Sequence, residues 1–241
     1  MSKKEKLRRS RSADKFANKI LSLSKGEVSK FINRAVFLDR DGVINRIIYH
    51  RDIGVIDTPF TVKQMRLLPA AAVAIKKLNR LGLKAVVVSN QPGIAKGHFD
   101  RRALKAMTEK MERDLKRGGA RLDGIYYCLH HPQAVNPSYR KRCSCRKPHP
   151  GLLKEASREL DIDLESSFMV GDSITDIQAG RRAGCTTILI GTLKCDLCRL
   201  MQAEKIEPDH IVPDILSAAK LIEKLWKSEK YGSIEISPSN H

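Results

Sequence analysis

Val36-Phe37-Leu38-Asp39-Arg40-Asp41-Gly42-Val43 is an apolar run that breaks into Asp-x-Asp-Gly. It reads as a buried strand delivering two acidic side chains at its carboxyl end, because strand side chains alternate and residues two apart start on the same side. Two adjacent carboxylates repel unless a cation or a shared proton lies between them. The stretch therefore predicts either a bound hard metal ion or one protonated Asp. Gly42 lets the backbone turn sharply or approach a ligand closely. The competing reading is an Asp-rich turn that closes a core strand.

Three further segments bear on that choice. Lys84-Ala85-Val86-Val87-Val88-Ser89-Asn90-Gln91 is a second apolar strand, ending in a hydroxyl and two amides. Ser167-Phe168-Met169-Val170-Gly171-Asp172-Ser173 is another, ending in a carboxylate. Between them lies Arg146-Lys147-Pro148, a cationic pair before a proline that favours extended backbone. In an open parallel sheet, ligands sit beyond the carboxyl ends of the strands. Carboxylates for a divalent cation, with a hydroxyl and an ammonium for an anion, point to phosphoryl chemistry.

Asp39-Arg40-Asp41-Gly42, Ser89, Lys147 and Gly171-Asp172 resemble the four motifs of the haloacid dehalogenase superfamily of phosphohydrolases. Ser89-Asn90-Gln91-Pro92-Gly93-Ile94-Ala95-Lys96-Gly97, Ile125-Tyr126-Tyr127-Cys128-Leu129-His130-His131-Pro132 and Cys143-Ser144-Cys145-Arg146-Lys147-Pro148 are similar to one of its branches. That branch holds the D-glycero-D-manno-heptose 1,7-bisphosphate 7-phosphatases and the related histidinol-phosphatases. The likeness spans roughly residues 34 to 192, with several motifs in the right order.

The resemblance implies a role for each matched residue. Asp39 is the nucleophile that forms an aspartyl phosphate. Asp41 protonates the leaving alkoxide and then activates water, for which its pKa should be raised toward neutrality. Ser89 and Lys147 hold the transferring oxygens, and Asp39, Asp172 and the backbone carbonyl of Asp41 hold magnesium. Asp176 either binds magnesium through water, orients Lys147, or is a first-turn acid favoured by the helix dipole. Asn90, Gln91, Lys96 and Arg146 belong with the substrate contacts, and the two cations suit a second phosphate. Tyr49, His50 and Arg51, in a connection longer than heptose enzymes usually have, are the candidates for the substrate's remote group.

Cys128, His130, Cys143 and Cys145 offer three thiolates and an imidazole, a closed tetrahedral set suited to structural zinc, against free buried cysteines. The resemblance implies zinc on this loop; the adjacent His131 is the alternative imidazole. Cys195 and Cys198 read as a redox pair, a second metal site, or a reduced pair at a helix start.

The formal charge is +18, and residues 1–34 carry eleven Lys or Arg against three acids. Such an excess favours anionic partners, including nucleic acid through the basic tail, although scarce aromatic residues there weaken a base-stacking role. No stretch reaches the roughly 18 apolar residues of a membrane span. A polar start without an apolar segment and tight local cysteine spacings predict a cytoplasmic protein with reduced thiols.

The predicted organisation is a basic extension over 1–33, a phosphatase domain over 34–228 and a tail over 229–241. Residues 1 to about 11 read as disordered, and 12–32 as a short amphipathic helix. Strands alternating with helices over 69–81, 101–118, 151–160, 174–183 and 214–227 predict an α/β, doubly wound parallel sheet. The connection 46–68 reads as irregular and too short for a large cap domain. The chain is expected to be a monomer acting on a small sugar phosphate, the heptose bisphosphate first. Its basic rim disfavours histidinol phosphate, and a polynucleotide phosphatase is a third reading.

Overall fold

The computed structural model describes residues 33–191, 200–201 and 203–231. The expectations for the basic segment before residue 33, for Cys195 and Cys198, and for the tail beyond residue 231 lie outside them.

Among the described residues, eight strands and five α-helices follow one another as β1 (Ala35–Leu38), β2 (Ile48–His50), β3 (Val55–Asp57), α1 (Ala71–Arg80), β4 (Lys84–Asn90), α2 (Arg101–Arg117), β5 (Gly124–Cys128), α3 (Gly151–Leu160), β6 (Phe168–Gly171), α4 (Ile174–Ala183), β7 (Thr186–Ile190), β8 (His210–Val212) and α5 (Ile215–Tyr231). Six strands form one parallel sheet in the order β5-β4-β1-β6-β7-β8. The chain fills one side of β1 first and the other side afterwards, so the ends of β1 and its neighbours border a topological switch point, where α/β sheets bind ligands.

Period-two alternation sorts the central strands onto two cores. Val36, Leu38, Ala85 and Val87 pack with the buried faces of α1, α2 and α5, through residues such as Ile75, Met107 and Ile222. Ala35, Phe37, Val86 and Val88 pack on the opposite face with Leu152, Leu153, Ala156 and Ala179 of α3 and α4. Burial on both faces explains why these strands read as unbroken apolar runs. Helices α3 and α4 match their predicted limits. Asp100 caps α2, its carboxylate accepting from Ala103 N at 2.7 Å. Trp226 packs against the first core beneath the guanidinium of Arg34, 4.8 Å from its ring centre.

Two elements differ from the sequence reading. The connection 46–68 contains an antiparallel hairpin, β2 with β3, in which Tyr49 pairs with Ile56. Three-residue strands are too short to show a period, and the same holds for β8, which adds to the sheet edge beside β7. No large cap stands between β1 and α1. Among the described residues, no helix is long and apolar enough to cross a membrane.

Helix α1 offers a direct check on this layering. Ile75 is fully buried and Val73 is 59% exposed. Ile75→Ala should cost about 2–5 kcal/mol in urea unfolding and Val73→Ala under about 0.5 kcal/mol; similar losses from both would contradict the burial.

Candidate active site

Asp39 leaves the end of β1 with its backbone N donating to Val170 O of β6 at 3.0 Å. Lys147 arrives from the loop before α3, and its buried ammonium lies 2.8 Å from Asp39 Oδ1 and 2.5 Å from Asp176 Oδ1. It also donates to Val88 O of β4 at 2.9 Å. Burial alone would lower the Lys147 pKa, but Asp176 and Asp39 outweigh it and raise the pKa, so the ammonium stays charged. Asp172 completes the group: carboxylate oxygens of Asp39, Asp172 and Asp176 all lie within 4.8 Å of one another. Glycines make the room. A Cβ on Gly42, whose φ is +81°, would lie 1.8 Å from Asp172 Oδ2, and one on Gly171 would lie 2.2 Å from Asp176 Cβ.

Three carboxylates against one ammonium leave excess negative charge in a desolvated place. Burial, with the charges of Asp39 and Asp176, pushes Asp172 up to about 8. Burial chiefly raises Asp39 to about 6, against the pull of Lys147. All-oxygen donors at this spacing fit a hard divalent cation, which would relieve the repulsion. Asp176 also accepts from Ser173 N at 3.1 Å and Ser173 Oγ at 2.8 Å, so it both steadies the start of α4 and holds Lys147.

Asp41 departs from the sequence expectation. Its Oδ1 accepts from Asn45 Nδ2 at 2.8 Å, Thr58 Oγ1 at 2.7 Å and Arg40 Nη2 at 3.2 Å. Its Oδ2 accepts from Arg40 Nε at 3.1 Å and Gln91 Nε2 at 2.6 Å. Burial raises the Asp41 pKa, yet the Arg40 charge and these hydrogen bonds overcome it, and the net shift is downward. The expected rise toward neutrality is thus corrected: donors to an ionised carboxylate favour the ionised form. The structure also brings in Arg40, Asn45 and Thr58, which the sequence reading did not assign. The one available signal was Arg40 itself, a cation inside an acidic motif; it is fully buried and lies 5.6 Å from the Tyr127 ring centre.

The expected substrate contacts divide into two groups. Asn90 is committed to the backbone of Lys147, accepting from its N at 3.0 Å and donating to its O at 3.1 Å. Gln91 is fully buried behind Asp41 and donates to Ser89 Oγ at 3.1 Å. His50 is 4% exposed, bonds Thr58 O at 3.0 Å through Nε2 and stacks on Phe60 at 3.6 Å. In the structure all three side chains are bonded to the frame of the site. Tyr49 and Arg51 are exposed on the hairpin. Lys96 pairs with Asp57 at 3.2 Å, and Arg146 Nη1 donates to His130 O at 3.2 Å. Burial, then the charges of Arg146 and Lys96, lower the pKa of His131.

The cysteine–histidine set also assembles. The sulfurs of Cys128, Cys143 and Cys145 lie 3.2–3.6 Å apart, and His130 Nδ1 is 3.8 Å from Cys128 Sγ and 3.4 Å from Cys145 Sγ. Bonds of about 2.3 Å to a tetrahedral zinc put sulfurs about 3.8 Å apart, so a cluster of this size suits that ion. Burial, then Lys141, lowers the His130 pKa, and the neutral ring is the form that ligates. His131 Nδ1 instead accepts from Gln133 N at 3.1 Å, which favours His130 as the fourth donor.

Residues 144–218 match a family model described as HAD-hydrolase-like. The chain is 45% identical over 161 residues to a D-glycero-β-D-manno-heptose-1,7-bisphosphate 7-phosphatase of Photorhabdus laumondii, covering 66% of this chain and 81% of that one. It is 37% identical over 151 residues to the α-anomer enzyme of the same bacterium, covering 63% and 78%. The D,D-heptose 1,7-bisphosphate phosphatase of B. bronchiseptica, solved with magnesium and phosphate, superimposes with a TM-score of 0.66 at 31% identity, covering 80% of this chain and 99% of that one. Sequence and fold together place the chain among the haloacid-dehalogenase-like phosphatases, in the D-glycero-D-manno-heptose 1,7-bisphosphate 7-phosphatase family.

Proposed function

We propose that the chain removes the 7-phosphate of D-glycero-β-D-manno-heptose 1,7-bisphosphate by way of an aspartyl phosphate. The observation that carries this is the convergence of Asp39, Asp172, Asp176 and Lys147 at the switch point of the sheet. The greater identity to the β-anomer enzyme of P. laumondii than to its α-anomer counterpart supports the choice of anomer. Lys96 and Arg146 supply cations for the second phosphate, and Tyr49 and Arg51 face whatever enters over the hairpin. A cytoplasmic setting suits the unpaired thiols of Cys128, Cys143 and Cys145.

Asp39 attacks phosphorus, a carboxylate–phosphorus bond forms, and the bond from phosphorus to the sugar oxygen breaks. Asp41 gives that oxygen its proton. Since Asp41 rests ionised, the proton must arrive with the phosphate monoester, whose second ionisation lies near pH 6. Water then attacks phosphorus, Asp41 takes its proton, and Asp39 is released. Ser89 and Lys147 hold the transferring oxygens, and Asn90 fixes the Lys147 backbone. Magnesium, held by Asp39, Asp172 and the backbone carbonyl of Asp41, would offset repulsion between carboxylate and phosphate. Zinc on Cys128, His130, Cys143 and Cys145 would tie down the loop that carries Arg146 and Lys147.

Asp39→Asn should abolish release of phosphate from the bisphosphate while the melting temperature stays within a few degrees; a variant that still turns over would refute the covalent route. Magnesium affinity should depend on pH. Because Asp172 sits near 8, it holds a proton below that value, and the proton must leave before the cation binds. Calorimetric titration should therefore show roughly tenfold weaker binding per unit as pH falls from 8, and more steeply below about 6 as Asp39 also protonates. Binding independent of pH from 6 to 8 would contradict the shared site. Cys143→Ser should lower bound zinc by elemental analysis and raise KM for the bisphosphate by about tenfold or more, as expected for loss of an ordered binding loop; unchanged zinc and KM would remove the structural role.

A further inference from the structure

We infer that Thr58 is a positioning residue, through which the rim hairpin β2–β3 sets the direction in which Asp41 faces the leaving oxygen. This rests on the assignment of Asp41 as the proton donor to the leaving group. Thr58 follows β3 directly and is 5% exposed. Its Oγ1 donates to Asp41 Oδ1 at 2.7 Å and accepts from Arg40 Nη2.

The source of each contact to Asp41 distinguishes Thr58. Arg40 and Asn45 lie within the same turn as Asp41, and Gln91 follows β4, an interior strand. Thr58 is the contact that comes from the hairpin. It is also chemically distinct: the guanidinium and amide N–H groups only donate, whereas a hydroxyl both donates and accepts. It therefore bonds Asp41 and Arg40 at once.

The hydroxyl is held in a rigid frame. Thr58 N donates to Asp57 Oδ1 at 2.8 Å, and Thr58 O is bonded to His50 Nε2 at 3.0 Å. His50 stacks on Phe60, and Phe60 stacks on His98 at 4.4 Å. Asp57 pairs through its other oxygen with Lys96. Both hairpin strands and the loop after β4 thus hold Thr58. The hairpin's outer face presents Tyr49 at 60% and Ile56 at 74% exposure, a cross-strand pair. Ile47, just before β2, reaches toward the site: its Cδ1 and Asp172 Oδ2 both lie close to where a Gly42 Cβ would stand. A ligand resting on this face and the aim of Asp41 therefore share one element. Misplacement of a reacting group by about 1 Å costs on the order of 100-fold in rate.

The first turnover, followed by rapid quench, isolates leaving-group departure. Two substrates are compared: the heptose bisphosphate, whose alkoxide needs a proton, and p-nitrophenyl phosphate, whose phenolate does not. Thr58→Val keeps the shape and removes the hydroxyl. It should slow release of the heptose monophosphate about 10- to 100-fold and release of nitrophenolate less than about threefold, and Thr58→Ser should return the first rate to within about threefold of wild type. Equal slowing with both substrates, or no slowing with the bisphosphate, would overturn the inference. Asp41→Asn separates the two levels. If it shows no difference between the leaving groups, the assignment of Asp41 fails; if it shows the difference and Thr58→Val does not, the role of Thr58 alone fails.

Discussion

A buried ammonium between two carboxylates sets the terms for the rest of the molecule. Lys147 Nζ lies within 2.8 Å of both Asp39 and Asp176, with almost no access to water. A charge in such a place is costly unless it is paired and hydrogen-bonded. The chain meets that condition from three elements: the end of β1 gives Asp39, β4 gives the carbonyl of Val88, and α4 gives Asp176, while Asn90 at the end of β4 grips the Lys147 backbone. The one ammonium does not neutralise Asp172 as well. The residual negative charge suits the site to a cation, and the glycines at 42 and 171 are the steric condition for packing the acids so closely.

Two peripheral devices feed this centre. The cysteine–histidine cluster ends at Cys145, two residues before Lys147, so order in that loop passes directly to the ammonium. The β2–β3 hairpin stands in place of a large cap and reaches inward through Thr58 to Asp41. Asp41 itself is held as an anion by Arg40, Asn45, Thr58 and Gln91. An ionised carboxylate is ready to take a proton from water, whereas donating one first requires acquiring it. The two halves of the proposed hydrolysis through an acyl phosphate would therefore make unequal demands on this residue.

The sheet and the charged cluster were legible because their signals are local. Runs such as Val36–Leu38 and Ala85–Val88 declare buried strands, and each ends in polar side chains that have no place in a core. The thiols and imidazole are likewise legible, being close in sequence and chemically unmistakable. What was not legible depends on contacts between distant residues. The amide of Asn90 meets the backbone of Lys147 57 residues away, and Thr58 meets Asp41 across 17 residues. His50 read as a candidate contact for the substrate's remote group, yet stacking on Phe60 and the carbonyl of Thr58 draw it inside. Arg40 inside the motif was the one hint to the charge state of Asp41, whereas the donors Thr58 and Gln91 come from distant segments.

The shared cation site is the claim on which the chemistry stands, and a crystal grown with manganese in place of magnesium tests it most directly. Anomalous scattering should locate an ion with oxygens of both Asp39 and Asp172 at about 2.0–2.3 Å. An ion bound elsewhere, or one that touches only one of these carboxylates, would contradict the account.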